Sequence, residues 1–262
     1  MTSLKQSFNL VADSYEKYRP TYPKELFEDI IRFANLDVNH TLLEVGSGTG
    51  KATEGFVKHG LSKVTCIEYG QNLAELTRKK FSPYPSLQVI NSSFEEWNNQ
   101  EKVKFDLVYS GTAFHFIPHE TGYKKAASLL KDSGVLALFW FVHIPSHEPV
   151  YQSIRNAYES FAPHLEDSKV PTLAEFIEER NKLTLQSGAF QDLCTHTYTW
   201  NQTYTADEYV GLLNTHSGHQ ILSPERKEAL YEAIKNAILE QNSGVISKKH
   251  AVALFLAKKK IV

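Results

Sequence analysis

The stretch "LLEVGSGTGKAT", residues 42–53, decides the fold class that we predict for this chain. Its apolar start predicts a short buried strand, and its three glycines predict a tight turn that leads into a helix. Similar apolar runs recur downstream, with helix-like segments between them. The predicted strands span 41–45, 63–68, 87–91, 104–110 and 133–142, and the predicted helices span 51–59, 71–81 and 120–131. This alternation predicts a parallel sheet that helices cover on both faces.

After residue 143 the alternation breaks. Two segments, 147–165 and 171–188, are each predicted to contain a helix, with a proline-bounded loop between them. Two late strands are predicted near 191–200 and 249–258, around helices at about 206–215 and 224–242. No repeat or low-complexity linker divides the chain, so we expect a single domain.

The composition is that of a globular domain with a sizeable core. Of the 262 residues, 42% are hydrophobic and 22% are charged. The net charge of -2 predicts no strong attraction to nucleic acid or to an anionic membrane. The only cysteines, Cys66 and Cys194, are far apart in strand-like runs. We therefore expect neither a disulfide framework nor a cysteine metal site, and a reducing cytoplasmic location.

Neither a leader nor a membrane span is expected. The first ten residues, "MTSLKQSFNL", lack the apolar stretch of about 7–15 residues that marks a secretory signal. No run in the chain reaches the roughly 18 apolar residues of a membrane-spanning helix.

The glycines Gly46, Gly48 and Gly50 form a G-x-G-x-G turn, which by itself is a weak signal for a ligand site. A Walker-type phosphate loop would need glycine where Val45 stands, and a dinucleotide fingerprint would need glycine where Lys51 stands. The missing third glycine argues against a nicotinamide-dependent oxidoreductase, which we keep as an alternative.

A carboxylate strengthens the ligand hypothesis. Glu68 ends the second predicted strand, 22 residues after Gly46, where a carboxylate can accept both hydroxyls of a ribose. The alternative is a solvated glutamate at a strand end. We predict an adenosine-like nucleoside as the ligand, without a phosphate site.

Four segments in this order and spacing resemble class I S-adenosylmethionine-dependent methyltransferases: "LLEVGSGTGKAT", "TCIEYG", "VINSSFEEW" and "FDLVYSGTAFHFIP". The segment "YEKYRPTYP", residues 15–23, is similar to the N-terminus of a small-molecule branch (methyltransferase type 11/25-like). The resemblance implies an α/β, Rossmann-like, seven-stranded, mostly parallel sheet in the order 3-2-1-4-5-7-6, with the last strand antiparallel. It also implies a cofactor-binding half, 1–143, and helical cap insertions at 144–187 and 201–220.

The resemblance implies transfer of a methyl group from S-adenosyl-L-methionine to a small-molecule acceptor. The residues expected to bind the cofactor are Tyr15, Tyr18, Arg19, Glu44, Gly46, Ser47, Gly48, Thr49, Gly50, Glu68, Ser92, Ser93, Phe94, Ser110, Gly111 and Thr112. A protein that binds this cofactor without catalysis is a further alternative.

Several of these residues carry two interpretations. Glu44 would orient the loop and favour the cationic end of the ligand, or it would only accept loop N–H groups. Arg19 is a candidate fork for the ligand carboxylate, with Tyr15 and Tyr18 closing over it, or this segment packs its aromatic rings on the core.

The adenine site departs from the family pattern. Family members often carry an acidic residue where this chain has Ser92, so the contact to the adenine amino group would rest on Ser92, Ser93 or their backbone. Phe94 would flank the adenine ring, or it packs in the core.

His115 is the candidate catalytic residue, as a base or as an orienter of the acceptor, and the alternative is a histidine that only orients loops. The cap would contribute Tyr204, His216 and Ser217 to acceptor binding. No metal site is expected, because Pro145 lies between His143 and His147 and no clear carboxylate cluster joins His216 and His219. Partners would be limited to the acceptor, with no nucleic acid, and the protein would be a monomer or a homodimer.

Overall fold

The computed structural model describes residues 12–165 and 170–261. The strands are β1 (Leu42–Val45), β2 (Val64–Glu68), β3 (Gln88–Asn91), β4 (Phe105–Gly111), β5 (Leu130–Val142), β6 (Phe190–Thr205) and β7 (Val245–Lys259). They form a seven-stranded sheet in the order β3-β2-β1-β4-β5-β7-β6. This order confirms the predicted Rossmann-like arrangement.

Helices follow the strands as the alternation predicted. Their bounds are α1 (Ala12–Tyr18), α2 (Lys24–Ala34), α3 (Lys51–Val57), α4 (Gln71–Lys80), α5 (His119–Leu129), α6 (Pro149–Phe161), α7 (Leu173–Gln186), α8 (Ala206–Leu213), α9 (Ser217–Gln220) and α10 (Pro224–Gln241). Short 3-10 turns occupy Phe114–Phe116 and Pro163–Leu165. The helix α2, which was not predicted from the sequence, begins after Pro23 and buries Leu26, Phe27 and Ile30.

The centre of the sheet is parallel and buried. β1 pairs in parallel with β2 on one side and β4 on the other, and β4 pairs in parallel with β5. All four residues of β1 are buried, as expected for a strand that is covered on both faces. Parallel strands end at one edge, here called the carboxyl edge, which is where open α/β sheets bind ligands.

The described residues divide into two compact units. The sheet unit comprises residues 21–142, 174–198 and 252–261, and the helical unit comprises residues 12–20, 143–165, 170–173 and 199–251. This division differs from the predicted bounds, and residues 12–20, predicted in the cofactor-binding half, belong to the helical unit. Nearly all of α7 belongs to the sheet unit, whereas α10 belongs to the helical unit. The single-domain assignment stays a prediction.

The helical unit has its own core. α6, α8 and α10 contribute most of its buried apolar side chains, among them Ile154, Leu212 and Ile234. The aromatic residues Tyr151 and Tyr209 lie in the same cluster. Their burial shows that much of the aromatic content of this unit serves its own packing.

The expectations about a leader and a membrane span concern different parts of the chain. Residues 1–10, for which no leader was expected, lie outside the described residues. Within the described part, no helix is long and apolar enough to cross a bilayer.

Candidate active site

The glycine turn at the end of β1 has free space beside its middle glycine, Gly48. Gly46, Gly48 and Gly50 all have positive φ, at 73°, 57° and 78°. A Cβ on Gly46 would lie 2.5 Å from Cβ of Ala113, and a Cβ on Gly50 would lie 2.4 Å from the Phe81 ring. A Cβ on Gly48 would meet no described atom within 4 Å. The outer glycines therefore serve packing, and the space at Gly48 is available to a ligand.

The two residues between these glycines have buried hydroxyls without partners. Ser47 is 5% exposed and Thr49 is 2% exposed. Neither Ser47 Oγ nor Thr49 Oγ1 has a hydrogen-bond partner among the described residues. A buried polar group left in this state costs about 1–3 kcal/mol, so such groups usually mark a ligand or a function.

Glu68 fastens the turn to the end of β2. Its Oε2 accepts from the backbone N–H of Gly48 at 2.7 Å, and its Oε1 accepts from Gly70 N–H at 2.7 Å. Burial raises the pKa of this carboxyl, and the backbone N–H groups oppose that rise. Each carboxylate oxygen retains a further lone pair, so the group can still accept from ligand hydroxyls.

Glu44 lies beneath the turn and bonds to side chains around it. Its Oε2 accepts from Tyr109 OH at 2.8 Å and from the Thr53 hydroxyl. Burial raises the pKa of Glu44 to about 7. Among its described bonds none comes from a loop N–H, so the geometry favours a brace that joins β1, α3 and β4.

The end of β4 is strained. Thr112 has a φ of 57°, a left-handed conformation that a β-branched residue rarely adopts. Its Oγ1 lies 3.1 Å from Tyr22 OH, and Tyr22 stacks on Phe141 with centroids 5.0 Å apart. Gly111 has no room for a Cβ, which would lie 2.8 Å from Phe139 and from Tyr22. Such strain at a carboxyl edge is typical of a functional site.

Ser110 continues this edge from within the sheet. Its Oγ donates to the carbonyl oxygen of Val45 at 2.6 Å, and its side chain is fully buried. The end of β4 is thereby tied to the residue that precedes the glycine turn.

The sequence of this chain is similar to those of known proteins. A family model described as a methyltransferase domain matches residues 42–134. An uncharacterized methyltransferase of Schizosaccharomyces pombe is 26% identical over 89% of this chain and 88% of its own. The Saccharomyces cerevisiae protein named as a probable S-adenosylmethionine-dependent methyltransferase, CRG1, is 25% identical over 71% of this chain and 65% of its own.

A solved structure supports the same fold. Phosphoethanolamine N-methyltransferase 2 of Haemonchus contortus, solved with phosphomonomethylethanolamine and S-adenosylhomocysteine, superposes with a TM-score of 0.56. It is 13% identical, and the match covers 100% of this chain and 61% of that one.

These matches support a class I S-adenosylmethionine-dependent methyltransferase. Its cofactor is S-adenosylmethionine, which a glycine turn without a phosphate motif suits. The free space at Gly48 and the unpartnered hydroxyls of Ser47 and Thr49 fit such a ligand.

In this methyltransferase the segment after β3 is largely engaged with itself. Ser92 N–H donates to the carbonyl oxygen of Glu68 at 3.0 Å, and Ser92 Oγ donates to that of Ser93 at 3.1 Å. Ser93 Oγ donates to Glu96 at 2.9 Å. Phe94 is 4% exposed, and Lys125 Nζ lies 5.1 Å from its ring centroid. Side-chain readout of adenine by these serines would need these bonds to rearrange.

His115 is held by a tryptophan. Trp140 Nε1 donates to His115 Nδ1 at 3.1 Å, which leaves the proton of the neutral ring on Nε2. Burial of the ring, and then the charge of Arg180, lower the pKa of His115 to about 4, although part of the residue is exposed. At neutral pH, His115 therefore presents an N–H donor, and this geometry favours orientation of an acceptor over proton abstraction.

Sequence reasoning missed Tyr22, Trp140 and Arg180. Tyr22 lies inside the quoted N-terminal segment, and its proline-flanked position was the available signal. Trp140 and Arg180 carried no local signal for a place in the site, because Trp140 bonds to His115, 25 residues away, and Arg180 contacts Trp140, 40 residues away.

The N-terminal residues Tyr15, Tyr18 and Arg19 belong to the helical unit. Arg19 Nε donates to Thr215 Oγ1 at 2.7 Å, and Arg19 Cζ lies 5.3 Å from the Tyr15 centroid. The Tyr18 ring occupies the space beside Gly211, where a Cβ would lie 2.7 Å away. Within its unit Arg19 braces the end of α8.

The proposed acceptor residues of the helical unit differ in their surroundings. Tyr204 is 3% exposed, and its hydroxyl lies 2.8 Å from His250 Nε2. His216 and Ser217 are half-buried where α9 begins. Burial, and then the charge of Arg19, hold the pKa of His216 well below its usual value.

Two histidines of this unit, His219 and His250, are bonded to tyrosines. We call these residues the histidine–tyrosine cluster: His219, His250, Tyr158, Tyr204 and Tyr231. His219 Nε2 lies 3.1 Å from Tyr158 OH, and its Nδ1 lies 3.1 Å from Tyr231 OH. Across residues 12–165 and 170–261, no three His, Cys, Asp or Glu side chains are grouped to hold a metal ion.

Proposed function

We propose that this methyltransferase transfers the methyl group of S-adenosylmethionine to a small-molecule acceptor. The observation that carries the proposal is the pair of unpartnered hydroxyls, Ser47 and Thr49, in a turn with free space at Gly48. When bound, the cofactor supplies an electrophilic methyl group on a sulfonium. The protein must bind that group, place the acceptor in line with it and exclude water.

We propose the following roles for the residues of the sheet unit. Glu68 accepts the ribose hydroxyls, and the Gly46–Gly50 turn binds the methionine portion with its backbone and its two hydroxyls. The segment 92–94 lies beside the adenine, with backbone contacts from Ser93 and Phe94. Ser110, Gly111 and Thr112 line the methyl-transfer position at the carboxyl edge.

We propose that Tyr15, Tyr18 and Arg19 contribute to the cofactor site and that Tyr204, His216 and Ser217 contribute to the acceptor site. The hydrogen bonds of Arg19 and Tyr204 within the helical unit support positioning through packing. Ser217 and His216, which are half-buried, have more surface to offer an acceptor.

His115 acts in this proposal as a hydrogen-bond donor to the acceptor. Its Nδ1 is occupied by Trp140, and its low pKa makes it a weak base. An acceptor that reaches the site already deprotonated, or with a free lone pair, requires no base. Orientation and removal of solvent then provide the rate enhancement, which reaches on the order of 7–11 kcal/mol in well-oriented reactions.

The charge balance of the chain supports a small acceptor. A protein that binds nucleic acid needs several phosphate contacts from Lys and Arg, whereas this chain has a net charge of -2. The expectations of a cytoplasmic location and of a monomer or homodimer stay predictions.

Two measurements test the proposal. Calorimetry with S-adenosylhomocysteine should show one site per chain, and label from methyl-labelled cofactor should enter a small-molecule fraction of a cell extract. Intact protein and RNA fractions serve as competing acceptors in the same assay. Label that enters only those polymer fractions would contradict the small-molecule acceptor.

A further inference from the structure

Arg180 in α7 is a partly buried cation with an incomplete set of partners. Its side chain is 15% exposed, and its Nε is buried without a hydrogen-bond acceptor among the described residues. Its ion-pair contact is to Glu179 at 3.8 Å, and that carboxylate is 56% exposed. An exposed pair at this distance contributes little, so it does not account for a partly buried guanidinium.

Aromatic rings hold the guanidinium in place. Arg180 Cζ lies 5.3 Å from the Trp140 ring centroid and 5.0 Å from the Phe176 ring centroid. Cation–π contacts of this kind hold the guanidinium beside the rings and leave N–H groups available for other partners. The rings alone would tolerate a lysine or an apolar side chain, whereas a fixed planar fork suits a planar anion.

Trp140 joins this arginine to the site. The same indole whose face meets Arg180 donates its N–H to His115. Trp140 follows Phe139, which pairs with Gly111 in the register of β4 and β5. The cluster of Arg180, Trp140 and His115 therefore lies in the sheet unit at the carboxyl edge, where β4 ends.

Arg180 and His115 both offer hydrogen-bond donors. Arg180 carries a permanent positive charge, and neutral His115 presents Nε2–H. A single guanidinium charge matches a monoanionic carboxylate better than a phosphate, which carries close to two charges at pH 7 and usually needs more than one cation.

We propose that Arg180 binds a carboxylate of the methyl acceptor, so that the substrates are small carboxylic acids. The inference rests on the proposed function and names the class of its acceptor. Trp140 positions Arg180 and His115 with respect to each other, and His115 donates a second hydrogen bond to the same acceptor.

The test uses a small-molecule cell extract as the acceptor and methyl-labelled S-adenosylmethionine as the donor. One aliquot of extract is treated with a carbodiimide and ammonia, which converts carboxylates into neutral amides. A second aliquot is treated with phosphatase, and a third is left untreated. The full-length protein is compared with R180Q, R180K and K182Q. Lys182 is exposed on the same helix and provides the matched loss of one positive charge.

The inference predicts at least tenfold less labelling of the amidated extract and a change within twofold after phosphatase treatment. R180Q should need at least tenfold more untreated extract for half-maximal labelling, R180K should recover part of that loss, and K182Q should match the wild type. Affinity for S-adenosylhomocysteine, measured by calorimetry, should stay within threefold in all variants. This affinity also shows that R180Q is folded.

Three outcomes would overturn the inference while the proposed function stands. They are equal labelling of amidated and untreated extract, loss of labelling after phosphatase alone, and an R180Q protein that uses the extract as well as K182Q does. Absence of label in every aliquot, together with no binding of S-adenosylhomocysteine, would overturn the proposed function itself.

Discussion

The glycine turn and the histidine–tyrosine cluster are both buried and polar, and they differ in whether their hydrogen bonds are complete. In the turn, Ser47 Oγ and Thr49 Oγ1 have no partner among the described residues. In the cluster, each nitrogen of His219 lies 3.1 Å from a tyrosine hydroxyl. Residue type alone would have favoured the histidines as ligand-binding groups. From the state of these hydrogen bonds we propose that the cofactor binds at the turn and that His219 serves packing.

The two regions also differ in backbone geometry. The turn and the strand beside it hold Gly48 and Thr112 at φ of 57°, whereas His219 lies in the regular helix α9. Strain and unpartnered polar groups together identify the region that a ligand completes. Substitutions in the two regions test this difference.

The substitution Gly48→Val should lower the affinity for S-adenosylhomocysteine at least a hundredfold. Valine is disfavoured at positive φ, and its side chain would fill the space that a ligand needs. Gly188→Val is the matched control, because Gly188 also has a positive φ of 69° and free space around a Cβ. Calorimetry on both variants separates loss of ligand space from backbone strain. Equal affinities in the two variants would show that the turn is not the binding site.

Replacing Glu68 by alanine should weaken S-adenosylhomocysteine binding by about 1.5–3 kcal/mol, the range for a hydrogen bond to a charged group. The variant also loses the bond that fastens Gly48 N–H, so its ligand-free stability should fall as well. Glu75→Ala removes an exposed carboxylate from α4 and should change neither quantity. Unchanged affinity in the Glu68 variant would refute the ribose assignment.

The stability of the protein should depend on Glu44 between pH 5 and pH 8. The pKa of this carboxyl rises from 4.5 in the unfolded chain to about 7 in the folded one. Because the folded state binds the proton more tightly, the stabilising contribution is complete below pH 4.5 and is lost as the pH rises through 7. Between pH 5 and pH 8 the loss amounts to about 3 kcal/mol.

Urea unfolding of the wild type and of Glu44→Gln at both pH values measures this contribution. The glutamine variant should lack the Glu44 part of the pH dependence, while the contribution from Glu68 remains in both proteins. Identical pH dependence in the two proteins would exclude a raised pKa at Glu44.

The smallest effect is expected in the histidine–tyrosine cluster. Tyr231→Phe removes a hydroxyl that bonds to His219 and Asn214, which should cost about 1 kcal/mol of folding stability. S-adenosylhomocysteine affinity should stay within a factor of two, because this cluster completes its own hydrogen bonds. A tenfold loss of affinity at constant stability would place the cluster in the ligand site and erase the contrast with the turn.

The sheet was predictable because its signals are local. The runs that became β1 to β4 lie within one residue of the observed strand bounds, since each is an apolar segment bounded by turn residues. β5 begins at Leu130 instead of 133, because the chain passes directly from α5 into the strand. β6 and β7 extend several residues beyond the predictions, and their exposed residues weaken the apolar pattern there.

The candidate site was only partly predictable, because it depends on contacts between distant residues. The glycine turn and Glu68 follow from spacing along adjacent strands. The Trp140 bond to His115 and the stacking of Arg180 on Trp140 join residues 25 and 40 positions apart. No periodicity or motif encodes such pairs. Sequence reasoning also could not show that Tyr204 is already bonded to His250.

The most direct test compares two neighbouring threonines, Thr49 and Thr53, each replaced by valine. Thr49 Oγ1 is buried without a described partner, whereas Thr53 Oγ1 donates to Glu44. Ligand-free stability from urea unfolding and S-adenosylhomocysteine affinity from calorimetry are measured on both variants. If a ligand completes the turn, Thr49→Val should leave the ligand-free protein as stable as the wild type or about 1 kcal/mol more stable, and weaken binding about three- to tenfold. Thr53→Val should instead lower stability by about 1–3 kcal/mol. A Thr49→Val protein that is less stable than the wild type and binds S-adenosylhomocysteine with unchanged affinity would contradict the assignment of the cofactor to this turn.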